Sequence, residues 1–272
     1  MRIGIAGLGL IGGSLAQALG GHHEITGHDI DRGTRDLAAS AGIRMVERLD
    51  ELLPADAVIV ATPVAAVLPT LATLAPRAGV CVLIDVSSVR APVESFVRGG
   101  GGGTARIVGM HPMAGRSGSG FAAADPALLA GRPFLIVPTS TADAAALALA
   151  GALARDVGGV PTVCSAVEHD RILALTSALP LALAVALSLT ASEAVGDLAP
   201  FAGPGYRDTT RLADTPAELA MALLRSNAAN AVVAIARLRT TLDELERAVA
   251  EQDVAALRDL LGRASAARQA LR

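Results

Sequence analysis

An α/β domain with a doubly wound, mostly parallel sheet, followed by an all-α domain, is the fold class that three features of this sequence predict. A glycine-rich turn sits between an apolar strand and a helix at the N-terminus. Short apolar runs then alternate with helical runs as far as about residue 163, the pattern of a parallel sheet covered on both faces. Beyond that point only helical patterns remain. The expected division is 1–163 for the sheet domain and 164–272 for a helical domain.

The first strand is Arg2 to Ala6. Gly7, Leu8, Gly9, Leu10, Ile11 and Gly12 follow it, then Gly13, Ser14 and a helical run from Leu15 to Leu19. A second strand, Glu24 to His28, ends on Asp29, 22 residues after Gly7. This order is that of a Rossmann-type dinucleotide site. Gly7 permits the tight turn, Gly9 admits a pyrophosphate to the backbone, and Gly12 lets helix and strand pack closely. The helix N-terminus turns free N–H groups toward the phosphates. Asp29 can accept hydrogen bonds from a ribose diol and repels a 2′-phosphate, so NAD is expected. Arg32 lies close enough to soften that preference, which leaves NADP as the lesser alternative.

Further strands are expected at Val58–Ala61, Val80–Asp85, Ile107–Met110, Phe134–Val137 and Val160–Val163, and helices at Val64–Leu74, Ala91–Val97 and Ala142–Val157. Five glycines, Gly99 to Gly103, read as a surface loop. Ser165 to Glu168 has the pattern of a capping box that opens the first helix of the second domain. Thr215 to Glu218 repeats it with proline at the first helical position, opening a helix expected to reach about Leu242. Asp253 is the expected cap of a last helix. Ile172 to Ser192 holds no charge over 21 residues, long enough to span a bilayer. Pro180 and several hydroxyl residues interrupt it, Arg171 and Glu193 fence it, and a nucleotide fold precedes it. A helix buried between two subunits is the better expectation, so a homodimer through the helical domain is predicted and a membrane is not.

Composition narrows the function. A net charge of −3 offers no basic field to nucleic acid. All 23 basic residues are arginine, which removes lysine Schiff-base, lysine acid and P-loop chemistry. One tyrosine, four phenylalanines and no tryptophan leave no platform for stacking bases. Cys81 and Cys164 lie in separate apolar stretches and suggest neither a disulfide framework nor a zinc site. The N-terminus is already strand and fingerprint, without a secretory pattern, so a cytoplasmic setting and no metal are expected.

Chemistry in such a fold belongs at the carboxyl ends of the strands. Ala61-Thr62-Pro63 and Asp85-Val86-Ser87-Ser88 follow two of them, with Thr62 and Pro63 placed to line the nicotinamide ribose. His111-Pro112-Met113-Ala114-Gly115 follows the strand expected to end at Met110. Gly203 to Arg211, expected as a loop between helices, brings Arg207 and Arg211 near a glycine-rich turn.

Taken together, GLGLIGGS, the aspartate after the second strand, DVSSV, HPMAG, EHDR and YRDTTRLA resemble the prephenate and arogenate dehydrogenases of tyrosine biosynthesis, from Ile3 to about Leu242. HPMAG and RDTTR carry the specificity of that resemblance. It implies a Rossmann-type domain followed by a helical dimerisation domain, and oxidation of a cyclohexadienyl substrate by NAD with loss of carbon dioxide. It implies that His111 is the catalytic base and that Ser88 hydrogen-bonds the reacting hydroxyl. It further implies that Arg211 binds the ring carboxylate, with Arg207 as a second substrate contact. Each residue has a plainer reading: Ser88 as a helix N-cap, Arg211 as a surface ion-pair residue, Arg207 as a partner of Asp208 or Asp214. His169, in EHDR, reads as a packing or interface residue, and His22, His23 and His28 as solvated loop or strand-end residues. The β-hydroxyacid dehydrogenases share the layout but use a catalytic lysine, which this chain lacks.

The chain also departs from the family pattern. A Ser-His-Leu-Pro-His segment is common there; here it is Ser177-Ala178-Leu179-Pro180-Leu181. Arg116-Ser117 replaces a Thr-Glu pair, and Ala220 stands where a tryptophan is frequent. All three changes fall on the substrate side. Prephenate is the expected substrate, with arogenate or an amino-substituted prephenate of specialised metabolism as alternatives. Arg116 suggests a positive charge for a pyruvyl carboxylate.

Overall fold

The computed structural model describes residues 1–116 and 118–271. Its sheet is built from β1 (Arg2–Ala6), β2 (Glu24–His28), β3 (Arg44–Met45), β4 (Ala57–Val60), β5 (Val82–Asp85), β6 (Arg106–Pro112), β7 (Pro133–Pro138) and β8 (Val160–Val163). Helices α1 (Leu10–Leu19), α2 (Arg32–Ser40), α3 (Val64–Leu74), α4 (Ala91–Arg98) and α5 (Ala144–Asp156) connect them. Then come α6 (Ala166–Leu173), a π turn (Ala174–Ala178), α7 (Leu179–Val195), α8 (Pro204–Thr210), α9 (Ala217–Ser226), α10 (Ala228–Ala250) and α11 (Val254–Gln269).

The strand order is β3-β2-β1-β4-β5-β6-β7-β8, parallel except where β6 meets β7. The order reverses between β1 and β4, which opens a crevice at their carboxyl ends. Strand alternation decides what faces where. Ile3, Ile5, Ala57, Ile59, Val82, Ile84, Val108 and Met110 share one core layer with Leu15 and Leu19 of α1 and Ala150 and Leu153 of α5. Ala6, Val58, Val60, Leu83 and Ile107 share the other with Leu71 of α3 and Val93 and Val97 of α4. In β6 this places Gly109 and His111 on the Ile107 face, the side of α4.

Two compact units form: Met1–Leu173 with Asp214–Asn227, and Ala174–Ala213 with Ala228 to the C-terminus. The segment that carries α9 therefore clusters with the sheet.

Several local expectations are met in atomic detail. Ser165 and Glu168 form the reciprocal capping box, with Ser165 N–H donating to Glu168 Oε2 at 3.0 Å and Glu168 N–H to Ser165 Oγ at 3.2 Å. Asp253 caps α11 by accepting from the N–H groups of Ala255 and Ala256. Others are corrected. Thr215 makes no capping box; α9 starts after Pro216 with no side-chain cap. The helix expected to reach Leu242 breaks at Asn227, whose φ of −124° and ψ of 32° leave the helical region. Its side chain explains the break: Nδ2 leaves the helix to donate to the Asp170 carbonyl at 2.6 Å. Residues 204–210, expected as loop, are helical. Strand β6 runs through His111 to Pro112, so His111 lies on the strand, paired with Leu135, and not in a loop after it. Helix α2 and β3 had no apolar signal: α2 buries only Ala38 and is fixed at its start by Asp31, which accepts from Thr34 N–H.

Phe134 is fully buried, and its ring fills the space a side chain at Gly159 would need. Phe134→Ala is expected to cost about 3–5 kcal/mol in a urea melt.

Candidate active site

The glycine turn has the shape its sequence implies. Gly7 has φ +89°, and a Cβ there would lie 2.7 Å from the Ala61 carbonyl oxygen. The carboxyl ends of β1 and β4 touch at this glycine. At Gly12 a Cβ would overlap the Gly7 carbonyl oxygen, whereas at Gly9 it would meet nothing within 4 Å. The turn is thus closed beneath and open above. The first turn of α1 begins there, at Leu10 and Ile11, and offers free N–H groups.

Asp29 is fixed from two sides. Its Oδ2 accepts from Leu8 N–H at 2.7 Å and its Oδ1 from Asp31 N–H at 2.9 Å. Each oxygen keeps a lone pair for a hydroxyl donor. Arg35 grips the carbonyls of Asp29 and Ile30. Arg32 is exposed and turned toward Asp36 at 3.9 Å. Past β4, beside Pro63, Thr62 Oγ1 is buried and has no partner among the described residues. An open glycine turn, an oriented carboxylate and an orphaned hydroxyl on either side of the strand reversal fit a dinucleotide.

A hydrogen-bond chain runs back from β6. His111 Nδ1 lies 2.9 Å from His169 Nε2. His169 Nδ1 lies 2.8 Å from Asp170 Oδ1. Asp170 also accepts from the N–H groups of Arg90 (2.9 Å) and Ala91 (2.8 Å), and so caps the start of α4. His169 is fully buried and Asp170 nearly so, while His111 is half-buried. Burial by itself would raise the Asp170 carboxyl. The hydrogen bonds from His169 and from the two backbone N–H groups outweigh it and hold the group below its ordinary value.

The directions follow. An ionised Asp170 only accepts, so His169 Nδ1–H donates to it. With one proton on the His169 ring, its Nε2 accepts from His111 Nδ1–H. His111 is left with a lone pair on Nε2, which has no hydrogen bond to the described residues. Burial, and then the Arg90 cation, push the His111 imidazole well below 6.5. It is therefore uncharged at neutral pH.

Behind this chain lies a buried ion pair, Arg90 with Asp85, at 2.8 Å. Ser87 Oγ donates to Asp85 at 3.2 Å. Ser88, in the same loop, is half-buried and forms no hydrogen bond among the described residues, so it is not the cap of α4. Asp170 has that role.

The structure therefore joins His111 to three residues that sequence reasoning passed over or misplaced. His169 is a member of the chain, not a packing or interface residue. Asp170 was hidden in plain view in EHDR, and nothing in a spacing rule marks Arg90. His23 is also corrected: its Nε2 meets Asp156 at 3.0 Å with the side chain 9% exposed. Arg116 pairs with Asp125 at 3.1 Å, so its charge is partnered; Ser117 lies outside the described residues. In the second unit Arg207 sits in α8 and donates from Nε to the Ala202 carbonyl at 3.0 Å. Arg211 opens a 3₁₀ turn and is exposed. Neither arginine forms an ion pair among the described residues. Ala178 and Leu181 are buried apolar residues of that unit. Cys81 is buried, with its thiol pushed up to about 11 by that burial, and is unreactive.

The strand reversal, the open glycine turn and the oriented Asp29 define the class: a Rossmann-type dinucleotide-binding protein. Residues 13–163 match the family model "Prephenate dehydrogenase, nucleotide-binding domain" and residues 165–263 match "Prephenate dehydrogenase, dimerization domain". The chain belongs to the prephenate dehydrogenase family. It is 34% identical over 191 residues to the probable prephenate dehydrogenase NovF of Streptomyces niveus, covering 70% of this chain and 51% of that one. The chain thus spans about half the length of that relative. The prephenate dehydrogenase of A. aeolicus, solved with hydroxyphenyl propionate and NAD+, superposes with a TM-score of 0.92 at 26% identity, covering 100% of this chain and 99% of that one. The arogenate dehydrogenase of Synechocystis gives 0.85 at 27% identity, with both chains fully covered.

Gly9→Ala is expected to melt as the wild type does, since its Cβ has room, but to lose at least tenfold in NAD affinity. Gly12→Ala is expected to lose both stability and NAD binding. Thermal melts and fluorescence titration with NAD distinguish the two.

Proposed function

We propose that this protein catalyses the oxidative decarboxylation of prephenate to 4-hydroxyphenylpyruvate, with NAD reduced, as a step of tyrosine biosynthesis in the cytoplasm. One observation supports the reading: His111, on the sheet that forms the nucleotide crevice, is linked through His169 to the Asp170 carboxylate, and its burial disfavours the charged imidazole.

NAD, when bound, supplies the oxidant that takes a hydride from the ring carbinol. Gly7, Leu8, Gly9, Leu10, Ile11 and Gly12 would hold its phosphates and Asp29 its ribose diol, and Thr62 and Pro63 would line the nicotinamide end. His111 Nε2 receives the proton of the substrate hydroxyl. The positive charge that develops on His111 is shared along the chain toward the Asp170 carboxylate. Ser88, which forms no hydrogen bond among the described residues, hydrogen-bonds the same hydroxyl and orients it. As the carbinol becomes a carbonyl, the bond to the ring carboxyl group breaks, carbon dioxide leaves, and the electron pair enters the ring. That pair passes through the dienone to the carbonyl oxygen, which makes the ring aromatic, and the phenolate takes back the proton held by His111. Arg211, as a planar fork, grips the ring carboxylate, with Arg207 beside it. Aromatisation supplies much of the driving force, so orientation of base and hydride is the protein's main contribution.

In this reading the chain divides into a coenzyme domain, 1–163, and a helical domain, 164–272, and pairs with a second copy through the latter. The family matches that meet near residue 164 support the division. The dimerization description and the exposed Leu183, Leu189 and Val195 of α7 and Val232 and Val233 of α10 support the pairing. The likeness to an arogenate dehydrogenase makes that substrate the second reading.

His111→Ala is expected to lower kcat on the order of 10²–10⁴-fold with NAD affinity within threefold of wild type. An unchanged kcat would remove His111 from the chemistry. Because the imidazole sits well below 6.5, protonation is the inactivating event. The acid limb of kcat/KM should therefore have its midpoint below pH 6.5, with full activity above it. Rates of NAD reduction at 340 nm should be higher with prephenate than with arogenate; the reverse order would make arogenate the substrate.

A further inference from the structure

A buried ion pair stands one step behind the reacting atoms, and the proposed function leaves it without a task. Asp85 closes β5 and is fully buried; Arg90, just before α4, is 3% exposed. Arg90 Nη2 meets Asp85 Oδ2 at 2.8 Å, and Nη1 donates to the Asp85 carbonyl at 3.1 Å. Nη2 also donates to the Ser87 carbonyl and, at 2.6 Å, to Ser87 Oγ. Ser87 in turn donates its N–H (2.8 Å) and Oγ (3.2 Å) to the Asp85 carboxylate. The loop that presents Ser88 is cross-braced by this set.

The guanidinium also lies against β6. A Cβ at Gly109 would overlap Arg90 Nη1, and Gly109 is one pleat before His111 on the same face. The backbone N–H of Arg90 donates to Asp170 Oδ1 at 2.9 Å. One residue thus touches the serine loop, the histidine strand and the carboxylate at the far end of the relay. Stability does not account for it: a buried ion pair is seldom the most stable way to fill a core, and Arg90 Nε has no partner among the described residues.

We infer that Arg90 is a positioning residue for the reaction, which with Asp85 locks the loop carrying Ser88 to the strand carrying His111 and, through its N–H, orients Asp170. The inference rests on His111 as the base. Arg90 acts through these neighbours and not on the reacting atoms. Its charge acts as well. After burial, the Arg90 cation is the next cause that holds His111 uncharged. The other titratable groups packed around this centre are Asp85 on β5, His169 and Asp170 on α6, Cys164 just before α6, and Glu94 on α4, which pairs with the exposed Arg98. From β7 the residues opposite Gly109 and His111 are Val137 and Leu135, which are uncharged.

Two variants separate charge from geometry. Arg90→Lys keeps the cation and loses the fork; the double variant Asp85→Asn/Arg90→Gln removes both charges and keeps a polar group at each position. The readouts are the NMR titration of the His111 imidazole in NAD-free protein, the kcat/KM pH profile, and NAD affinity. For Arg90→Lys we expect the His111 titration to stay low while kcat falls about tenfold. For the double variant we expect the titration and the acid limb to rise together by about one pH unit. NAD affinity should stay within threefold in both. A folded, NAD-binding double variant in which His111 titrates where it does in wild type would overturn the electrostatic role. An unchanged kcat in Arg90→Lys would overturn the positioning role. If the double variant does not fold, Gly109→Ala displaces the guanidinium with every charge kept. It should lower kcat with NAD affinity retained, and wild-type kcat there would overturn the proposal. An acid limb that ignores the NMR midpoint even in wild type would sink the base reading, while the titrations would still report on Arg90.

Discussion

The hydrogen bond between His111 and His169 is the interaction on which the site depends. An imidazole is a useful base only when the nitrogen facing the substrate carries the lone pair. That condition is set at the other nitrogen, and here the setting is done in two stages. Asp170, held ionised by two backbone N–H groups and by His169, takes the proton side of the His169 ring; His169 then takes the proton side of His111. In the proposed reaction the result is a carboxylate acting on the base at one remove. Direct contact between carboxylate and base would stabilise the imidazolium more strongly. The intervening ring leaves His111 readier to stay neutral, and burial with the Arg90 charge pushes in the same direction.

The fold makes this arrangement by ordinary means. Strand alternation puts Gly109 and His111 on the α4 side of the sheet, and the lack of a side chain at Gly109 makes room for Arg90. Asp170 serves both as helix cap for α4 and as terminus of the chain, so the start of α4 and the orientation of the His169 ring are one structural event. Asn227 adds a third tie, from the segment that returns to the first unit, through the Asp170 carbonyl. The coenzyme side follows a parallel logic: Gly12 is closed in by the Gly7 carbonyl, while Gly9 looks onto open space.

How much of this was legible in the amino-acid sequence depended on whether the signal was local. The glycine fingerprint, the run of β1 to β2 and Asp29 were readable because each feature lies within thirty residues and has one physical cause. The capping box at Ser165 and the cap at Asp253 were readable for the same reason. Helix α2 was not, because its polar sequence buries a single alanine and its support is the sheet beneath it. The break at Asn227 was hidden because its cause, the Asp170 carbonyl, is 57 residues away. His169 misled for a similar reason. A lone histidine in the first turns of a helix has many bland roles, and only the approach of α6 to β6 brings it to His111, 58 residues earlier. Arg90 and Asp85 are five residues apart in a loop, yet no periodicity distinguishes a buried pair from an exposed one.

The central claim is a tautomer, and it can be observed directly. Long-range proton–nitrogen correlation of the five histidine side chains, in NAD-free protein at pH 7, reports which ring nitrogen carries hydrogen. The account predicts hydrogen on Nδ1 and a bare Nε2 for both His111 and His169. Hydrogen on Nε2 of His111, alone or with both nitrogens protonated, would contradict it.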